Sequence, residues 1–196
     1  MKKLVLLVAV LGLVLPVFSA VATPIYANDD VTVRWNGIYN ASSPFGLMTK
    51  QSDYFLMEFT LGSTAAASAT LELNNNWPAG SVYTIAFQSL EYDFDDNTLT
   101  KAAADALTGF QAVANMDNVQ ATGTYTVDIT SWYNANLGKT MTLKGTDPIG
   151  SGADAPIFDD SENTLGLTVP AIQVVVPEPA TLLLLSVGGV LIRRKR

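Results

Sequence analysis

The sequence contains no cysteine and no histidine. The chain therefore has no thiol nucleophile, no Ser-His-Asp triad, no disulfide and no zinc site built on Cys or His ligands. Paired carboxylates, tyrosine, lysine or an oxygen-lined calcium site are the chemistry that remains. A glycosidase needs two carboxyl groups about 5 Å or about 6.5–9.5 Å apart across a cleft. Because the sequence singles out no such pair, we predict a protein that is not an enzyme.

Basic residues are scarce in the middle of the chain. Six of the eleven Lys and Arg residues lie at the two ends, whereas residues 28–177 carry five of them against seventeen carboxylates, a net charge of −12. Such a surface repels nucleic acid phosphates, whose binding needs clustered Lys and Arg. We therefore predict no nucleic-acid partner, while neutral polysaccharide and divalent cations remain compatible.

The N-terminus has a basic start, an apolar stretch over residues 4–15 and small residues after it. This is the layout of a secretory signal peptide, so we predict a signal helix within residues 1–27, with cleavage by signal peptidase after Ala22 or after Ala27. The alternative is an uncleaved anchor, but about a dozen apolar residues fall short of the 20 or so that span a bilayer.

The chain closes with VPEPATLLLLSVGGVLIRRKR, residues 176–196. An α-helix over residues 180–192 would cover only about 20 Å of a hydrocarbon core of about 30 Å. The basic residues that follow favour a short transmembrane helix, because positive charges stay in the cytoplasm and their long side chains reach the headgroups. This stop-transfer cluster consists of Arg193, Arg194, Lys195 and Arg196.

Two prolines precede this helix and flank a glutamate. Pro177 and Pro179 remove backbone donors and disfavour helix at the residues before them, so the segment should be extended and exposed, as a protease requires. The order of Pro-Glu-Pro, short apolar helix and basic cluster resembles the PEP-CTERM sorting signal of Gram-negative bacteria. The resemblance implies that Pro177, Glu178 and Pro179 are recognised by exosortase, an inner-membrane enzyme that processes the chain for export to the surface or into exopolysaccharide. An ordinary tail anchor is the alternative.

Between the ends, apolar residues alternate with polar ones. Phe55, Met57, Phe59 and Leu61 form one such series, and similar series lie within 69–73, 83–87, 125–129, 141–143 and 172–176. Period-two alternation is typical of half-buried strands. We predict an all-β domain over residues 28–175, built as an antiparallel β-sandwich of the jelly-roll type, before a sorting segment over 176–196.

One stretch departs from this alternation. In LTKAAADALTGFQAVANM, residues Ala103, Leu107, Phe110 and Ala114 recur at helical spacing. We predict a short helix or an ordered crossover on the outside of the sandwich, ending near Gly109, with a long loop as the alternative.

Three stretches of strand-like sequence stand out, namely SATLELNNNWPAGSVYTIAFQSLEYDF, GTYTVDITSWYNANLGKTMTLKGTD and FDDSENTLGLTVPAIQVVV. They resemble the DNRLRE family of secreted bacterial β-sandwich modules, which are related to carbohydrate-binding modules. The resemblance implies a jelly-roll fold, from which the Ala-rich insertion near residue 103 departs.

Two acidic clusters are candidate calcium sites. Glu91, Asp93 and Asp95 would lie on one face if this stretch is extended, and carboxylate oxygens are the ligands that Ca²⁺ prefers. The second cluster, in the loop before the last strand, includes Asp159, Asp160 and Glu162. Solvated strand ends and polar turns are the alternatives.

Aromatic residues near predicted loops are candidate glycan contacts. Trp35, Trp77 and Tyr92 could stack on the apolar face of a sugar ring, or they could pack at the rim of the core. Trp132 is a more plausible core residue, covering one end of the sandwich. Taken together, the sequence predicts an exported protein held transiently at the inner membrane and then placed at the cell surface or in the extracellular matrix. Its predicted role is structural or adhesive in exopolysaccharide or biofilm, with glycan binding as the alternative and a lyase or hydrolase less favoured.

Overall fold

The computed structural model describes residues 22–40, 47–48, 53–147, 156–159 and 169–176. The predicted signal helix, the predicted membrane helix and the sorting residues Pro177, Glu178 and Pro179 lie outside the described residues, as do Arg193, Arg194, Lys195 and Arg196. In the described ranges, no helix is both long enough and apolar enough to cross a membrane.

The described residues form a chain of strands with two short helices. In chain order these are β1 (Ala22–Tyr26), β2 (Asp30–Arg34), β3 (Gly37–Asn40), β4 (Leu47–Met48), β5 (Tyr54–Thr60), β6 (Ser68–Trp77), β7 (Tyr83–Leu90), α1 (Lys101–Ala106), β8 (Gln111–Val119), β9 (Gly123–Asp128), α2 (Thr130–Ala135), β10 (Thr140–Thr146), β11 (Ile157–Phe158) and β12 (Ala171–Val175).

The strands form two antiparallel sheets. Sheet 1 has the order β1-β12-β6-β11-β4, with β9 also paired to β6, and sheet 2 has the order β3-β2-β5-β10-β7-β8. Within sheet 1, β6 pairs with β12 along its first half and with β11 near its end. The prediction of an all-β antiparallel sandwich is confirmed.

The register defines two ends of the sandwich. At the tail end, Val175 pairs with both Ala22 and Ser68, and β5 finishes at Thr60 just before residues 61–67 lead into β6. At the distal end, β6 finishes at Trp77 before residues 78–82 lead into β7. The chain therefore enters the domain and leaves it on neighbouring strands at the tail end.

The main core lies between the sheets and is made by the predicted alternation. Phe55, Met57 and Phe59 of β5 are fully buried in it. The Phe55 ring meets Phe87 and Phe158 edge to face, with ring centroids 6.1 and 6.0 Å apart, a favoured aromatic geometry. Trp132 is half-buried, packs against this core, and donates from its Nε1 to Ser89 Oγ at 2.8 Å, so it lies at the edge of the core.

Sheet 2 is also covered on its outer face. We call residues 91–110, which include α1, the cover segment. Phe94 and Ala104 of this segment are buried against Val31, Val33 and Leu56 of the sheet. This second apolar cluster explains why β5 is buried on both faces rather than on one.

Helix α1 confirms the prediction of a short outer helix, but with different limits. The Thr100 side chain accepts a hydrogen bond from Ala103 N–H at 3.2 Å, which caps the first turn. The helix ends at Ala106, and Gly109 has a left-handed φ of +87°. Ala114, which shares the helical spacing, lies beyond this end in β8 and pairs with Phe87 of β7.

The domain begins earlier in the chain than the predicted boundary at residue 28. Strand β1 starts at Ala22, and Ala22–Val176 form one compact unit. This strand overlaps the predicted signal peptide.

Candidate functional site

Five carboxylates meet where the cover segment crosses the β1–β2 connection. We call Asp29, Glu58, Asp93, Asp95 and Asp96 the acidic corner. One oxygen each from Asp29, Asp95 and Asp96 lie within 4.8 Å of one another. Such a group of oxygen ligands could hold a hard cation such as Ca²⁺.

Glu58 is the most deeply buried member of the acidic corner, with 3% of its surface exposed. Its Oε2 accepts a hydrogen bond from Phe94 N–H at 2.7 Å, and its Oε1 accepts one from Asn28 Nδ2 at 3.1 Å. Burial raises the pKa of Glu58, the two donors oppose this, and the neighbouring Asp93 carboxyl raises it further. The side chain therefore ties the cover segment to sheet 2 at an electrostatic cost.

Asp29, like Glu58, has a pKa that burial and neighbouring carboxylates raise. Burial raises its pKa above the usual value, and the negative charge of Asp96 raises it further, with smaller contributions from Asp95 and Asp93. Asp96 is itself buried, and its Oδ1 accepts from Asn97 Nδ2 at 2.6 Å. Protonation or a bound cation would relieve the repulsion within this corner.

The first predicted calcium cluster is rearranged. Strand β7 ends at Leu90, so Glu91, Asp93 and Asp95 lie beyond it. Glu91 forms an ion pair with Lys139 at 2.7 Å, whereas Asp95 joins Asp29 and Asp96. The expected trio on one strand face is therefore not the group that the fold brings together.

The second predicted cluster is described only at Asp159. This residue follows β11, is buried, and accepts a hydrogen bond from Asn74 Nδ2 at 2.7 Å. Asp160 and Glu162 lie outside the described residues. Calcium binding at this cluster stays a prediction.

Two of the three predicted glycan contacts are exposed aromatic rings at the distal end. Trp35 is 75% exposed in the turn after β2, and Trp77 is 59% exposed at the end of β6. Strand β2 reaches this end because Val33 pairs with Tyr54, the first residue of β5. Tyr92 differs from them, because it is half-buried and packs against the second apolar cluster.

Polar groups surround Trp35. Its backbone N–H and the Arg34 Nε both donate to the Asp53 carboxylate, each at 3.1 Å. The Arg34 guanidinium lies over the Tyr39 ring, 5.1 Å from the centroid, and Asn36 Nδ2 donates to the Tyr39 hydroxyl at 2.9 Å. The turn is thus held rigidly around an exposed ring, an arrangement suited to stacking on a sugar.

Lys144 is a notable residue that the alternating pattern does not reveal. Its ammonium lies 4.0 Å from the centroid of the Tyr54 ring and 5.3 Å from that of Phe110. Burial lowers the pKa of Lys144, and the Asp105 carboxylate opposes this. Since Tyr54 is on the sheet and Phe110 on the cover segment, the cation–π contacts help to hold the cover in place.

The C-terminal segment matches a known sorting signal. A family model described as the PEP-CTERM protein-sorting motif matches residues 175–196. This match begins at Val175, the last residue of β12. No curated protein matches the chain. The motif indicates an exported, membrane-transiting protein that an exosortase sorts.

Proposed function

We propose that this protein is a structural or adhesive component of exopolysaccharide or biofilm, placed at the cell surface or in the extracellular matrix of a Gram-negative-type bacterium. The observation that carries the proposal is the sorting motif at residues 175–196, which begins at the last residue of the final strand of a compact β domain. Signal peptidase and exosortase process the chain in this account. The inner membrane holds it only transiently.

The strand order supports a jelly-roll domain. Reading across the sheets, β1-β12-β6-β9 faces β5-β10-β7-β8, and this interleaving is that of two Greek keys. The order is compatible with the resemblance to DNRLRE and carbohydrate-binding modules. We propose that the domain is such a secreted module, carried to the surface by the sorting segment.

The state of the carboxylates supports a role that is not enzymatic. Glu58 has a raised pKa, as a general acid would, but the cover segment buries it and both oxygens accept hydrogen bonds. A catalytic acid must reach the atom that it protonates. This carboxyl instead serves to fasten the cover segment.

Recovery of the protein from the matrix tests the proposed role. We would replace Pro177 and Glu178 together by alanine, with Thr181→Ala as the matched control. The proposal predicts that the wild type and the control are found in extracted exopolysaccharide and that the double variant is absent from it. Loss of the gene should also reduce biofilm mass. Equal amounts of all three proteins in the matrix, or biofilm unchanged by the deletion, would contradict the proposal.

Glycan binding is the second candidate function, and the exposure of Trp35 and Trp77 at the distal end favours it. Removing a stacking ring should abolish retention by a polysaccharide, because the ring supplies most of the apolar contact. Trp35→Ala and Trp77→Ala should therefore run faster than wild type in gels containing exopolysaccharide extracted from the host. Tyr26→Ala is the matched control, because Tyr26 is an exposed aromatic on β1. If all the variants migrated like the wild type, the glycan-binding function would be contradicted and only the structural role would remain.

A further inference from the structure

Strand β1 is an integral part of the folded domain. All five of its residues, from Ala22 to Tyr26, pair with β12. Ile25 packs against the main core, and Ala27, just after the strand, is buried and donates its N–H to Pro170 O at 3.0 Å. Pro24 lies on this edge strand, a position that sheets tolerate for proline and that discourages further pairing.

A chain cut after Ala27 would lose these contacts. Strand β12 would become the edge of sheet 1, and the buried side chains of Ile172 and Val174 would lose their neighbouring strand. The exposed edge would present backbone donors and acceptors to other chains. Strand β12, which leads into the sorting motif, would then pair with β6 alone.

A chain cut after Ala22 keeps the strand. The mature protein would begin at Thr23, which pairs with Val174, and the half-buried Pro24 and Ile25 and the buried Ala27 would remain. The residues before the cut also favour Ala22, because signal peptidase sites have small residues at the last and third-last positions of the signal peptide. Ala20 and Ala22 fit this pattern, whereas a cut after Ala27 would place Ile25 at the third-last position.

We infer that signal peptidase cuts after Ala22 and that β1 remains on the mature protein, where it closes the edge of the strand leading into the sorting motif. This goes beyond the proposed function, because it concerns the other end of the chain and needs neither a matrix role nor exosortase. The two processing events then flank neighbouring strands of one sheet.

Peptide mass spectrometry of the exported full-length gene product tests the cut directly. The N-terminal tryptic peptide should run from Thr23 to Arg34. A peptide that begins at Asn28 would overturn the inference. Ala22→Leu should eliminate the Thr23 product, because leucine is too large for the last position, whereas Ala27→Val should leave it unchanged. The opposite pattern would also overturn the inference. The C-terminal peptide reports on sorting separately, so the two ideas fail independently.

A stability measurement gives a second readout. Ile25→Asn would place a polar amide against the core, and the melting temperature of the exported protein should fall by about 3 °C or more. Tyr26→Asn is the control at an exposed position of the same strand, and we expect little change. Residue 25 is the third-last position for a cut after Ala27, and neither substitution places a small residue there. An unchanged melting temperature for Ile25→Asn would mean that residue 25 is absent from the mature protein.

Discussion

The Glu58 carboxylate on β5 accepts a hydrogen bond from the backbone N–H of Phe94 at 2.7 Å, and this bond joins sheet 2 to the cover segment. Both partners are buried. Replacing Glu58 by alanine would leave the N–H without its acceptor, a loss of about 1–3 kcal/mol in the free energy of unfolding. Urea unfolding measures this change. Glu58→Gln is the matched control, because its amide oxygen can still accept the bond, and we expect a smaller loss. Equal losses for both variants would show that the hydrogen bond contributes little.

The acidic corner gives the domain a definite pH dependence. Burial and neighbouring charges raise the pKa values of Glu58 and Asp29 in the folded state. The folded protein therefore holds more protons than the unfolded chain above the ordinary values of 4.5 and 3.8. The stabilisation from these two protonated groups is complete below the unfolded pKa values and is lost as the pH rises through the folded ones.

We therefore expect the melting temperature to rise as the pH is lowered from 7 towards the ordinary value of 4.5. Glu58→Gln and Asp29→Asn should each flatten this rise. Asp105 and Asp128 have lowered pKa values, so their contribution is present above 3.8 and is lost only as the pH falls through their folded values. A melting temperature that falls steadily from pH 7 to 5 would contradict this description of the corner.

The sequence predicted a calcium site at Glu91, Asp93 and Asp95, whereas the fold brings Asp95 together with Asp29 and Asp96. If the cation binds Asp29, Asp95 and Asp96 in the folded state alone, it stabilises that state by mass action. Millimolar Ca²⁺ at pH 7 should then raise the melting temperature, and Asp95→Asn should remove the effect. Glu91→Gln is the matched control, because this carboxylate pairs with Lys139 instead. No shift in the wild type would dispose of the calcium prediction at this corner.

Gly145 allows close packing within the main core. A Cβ at this position would lie 2.1 Å from Cζ of Phe55, which is too close for any real contact. Gly145→Ala should reduce the free energy of unfolding by about 1–3 kcal/mol, because the core has no room for the methyl group. Chemical denaturation measures the loss, which should be smaller in a Phe55→Leu background. Losses that simply add would show that the two residues do not compete for space.

The sequence predicted the elements whose hydrophobic pattern matches their surroundings. Strand β5 was predicted because Phe55, Met57 and Phe59 face one core. The stretch around Ala114 has helical spacing, but pairing with β7 makes it a strand, and no local pattern contains that partner. Strand β1 was hidden for a different reason: its residues are small or mixed and follow directly on a signal-peptide pattern.

In the candidate sites, too, the features that depend on local sequence were predicted and those that depend on distant segments were not. Exposure of Trp35 and Trp77 agrees with their place near predicted turns. The acidic corner was only partly predicted, because Asp29 and Glu58 are far in sequence from Asp95 and meet it only when the cover segment folds over sheet 2. Lys144 has an ordinary position in a strand pattern, and its aromatic neighbours come from two separate segments. Periodicity reveals which face a residue occupies, but not which distant segment covers that face.

Intact-mass spectrometry of the protein from its host, with and without the exosortase gene, tests whether exosortase sorts this chain. We expect a chain shortened near residues 177–180 when the enzyme is present and a chain that keeps residues 180–196 when it is absent. Full-length C-termini in both strains would contradict sorting by exosortase, and with it the proposed destination.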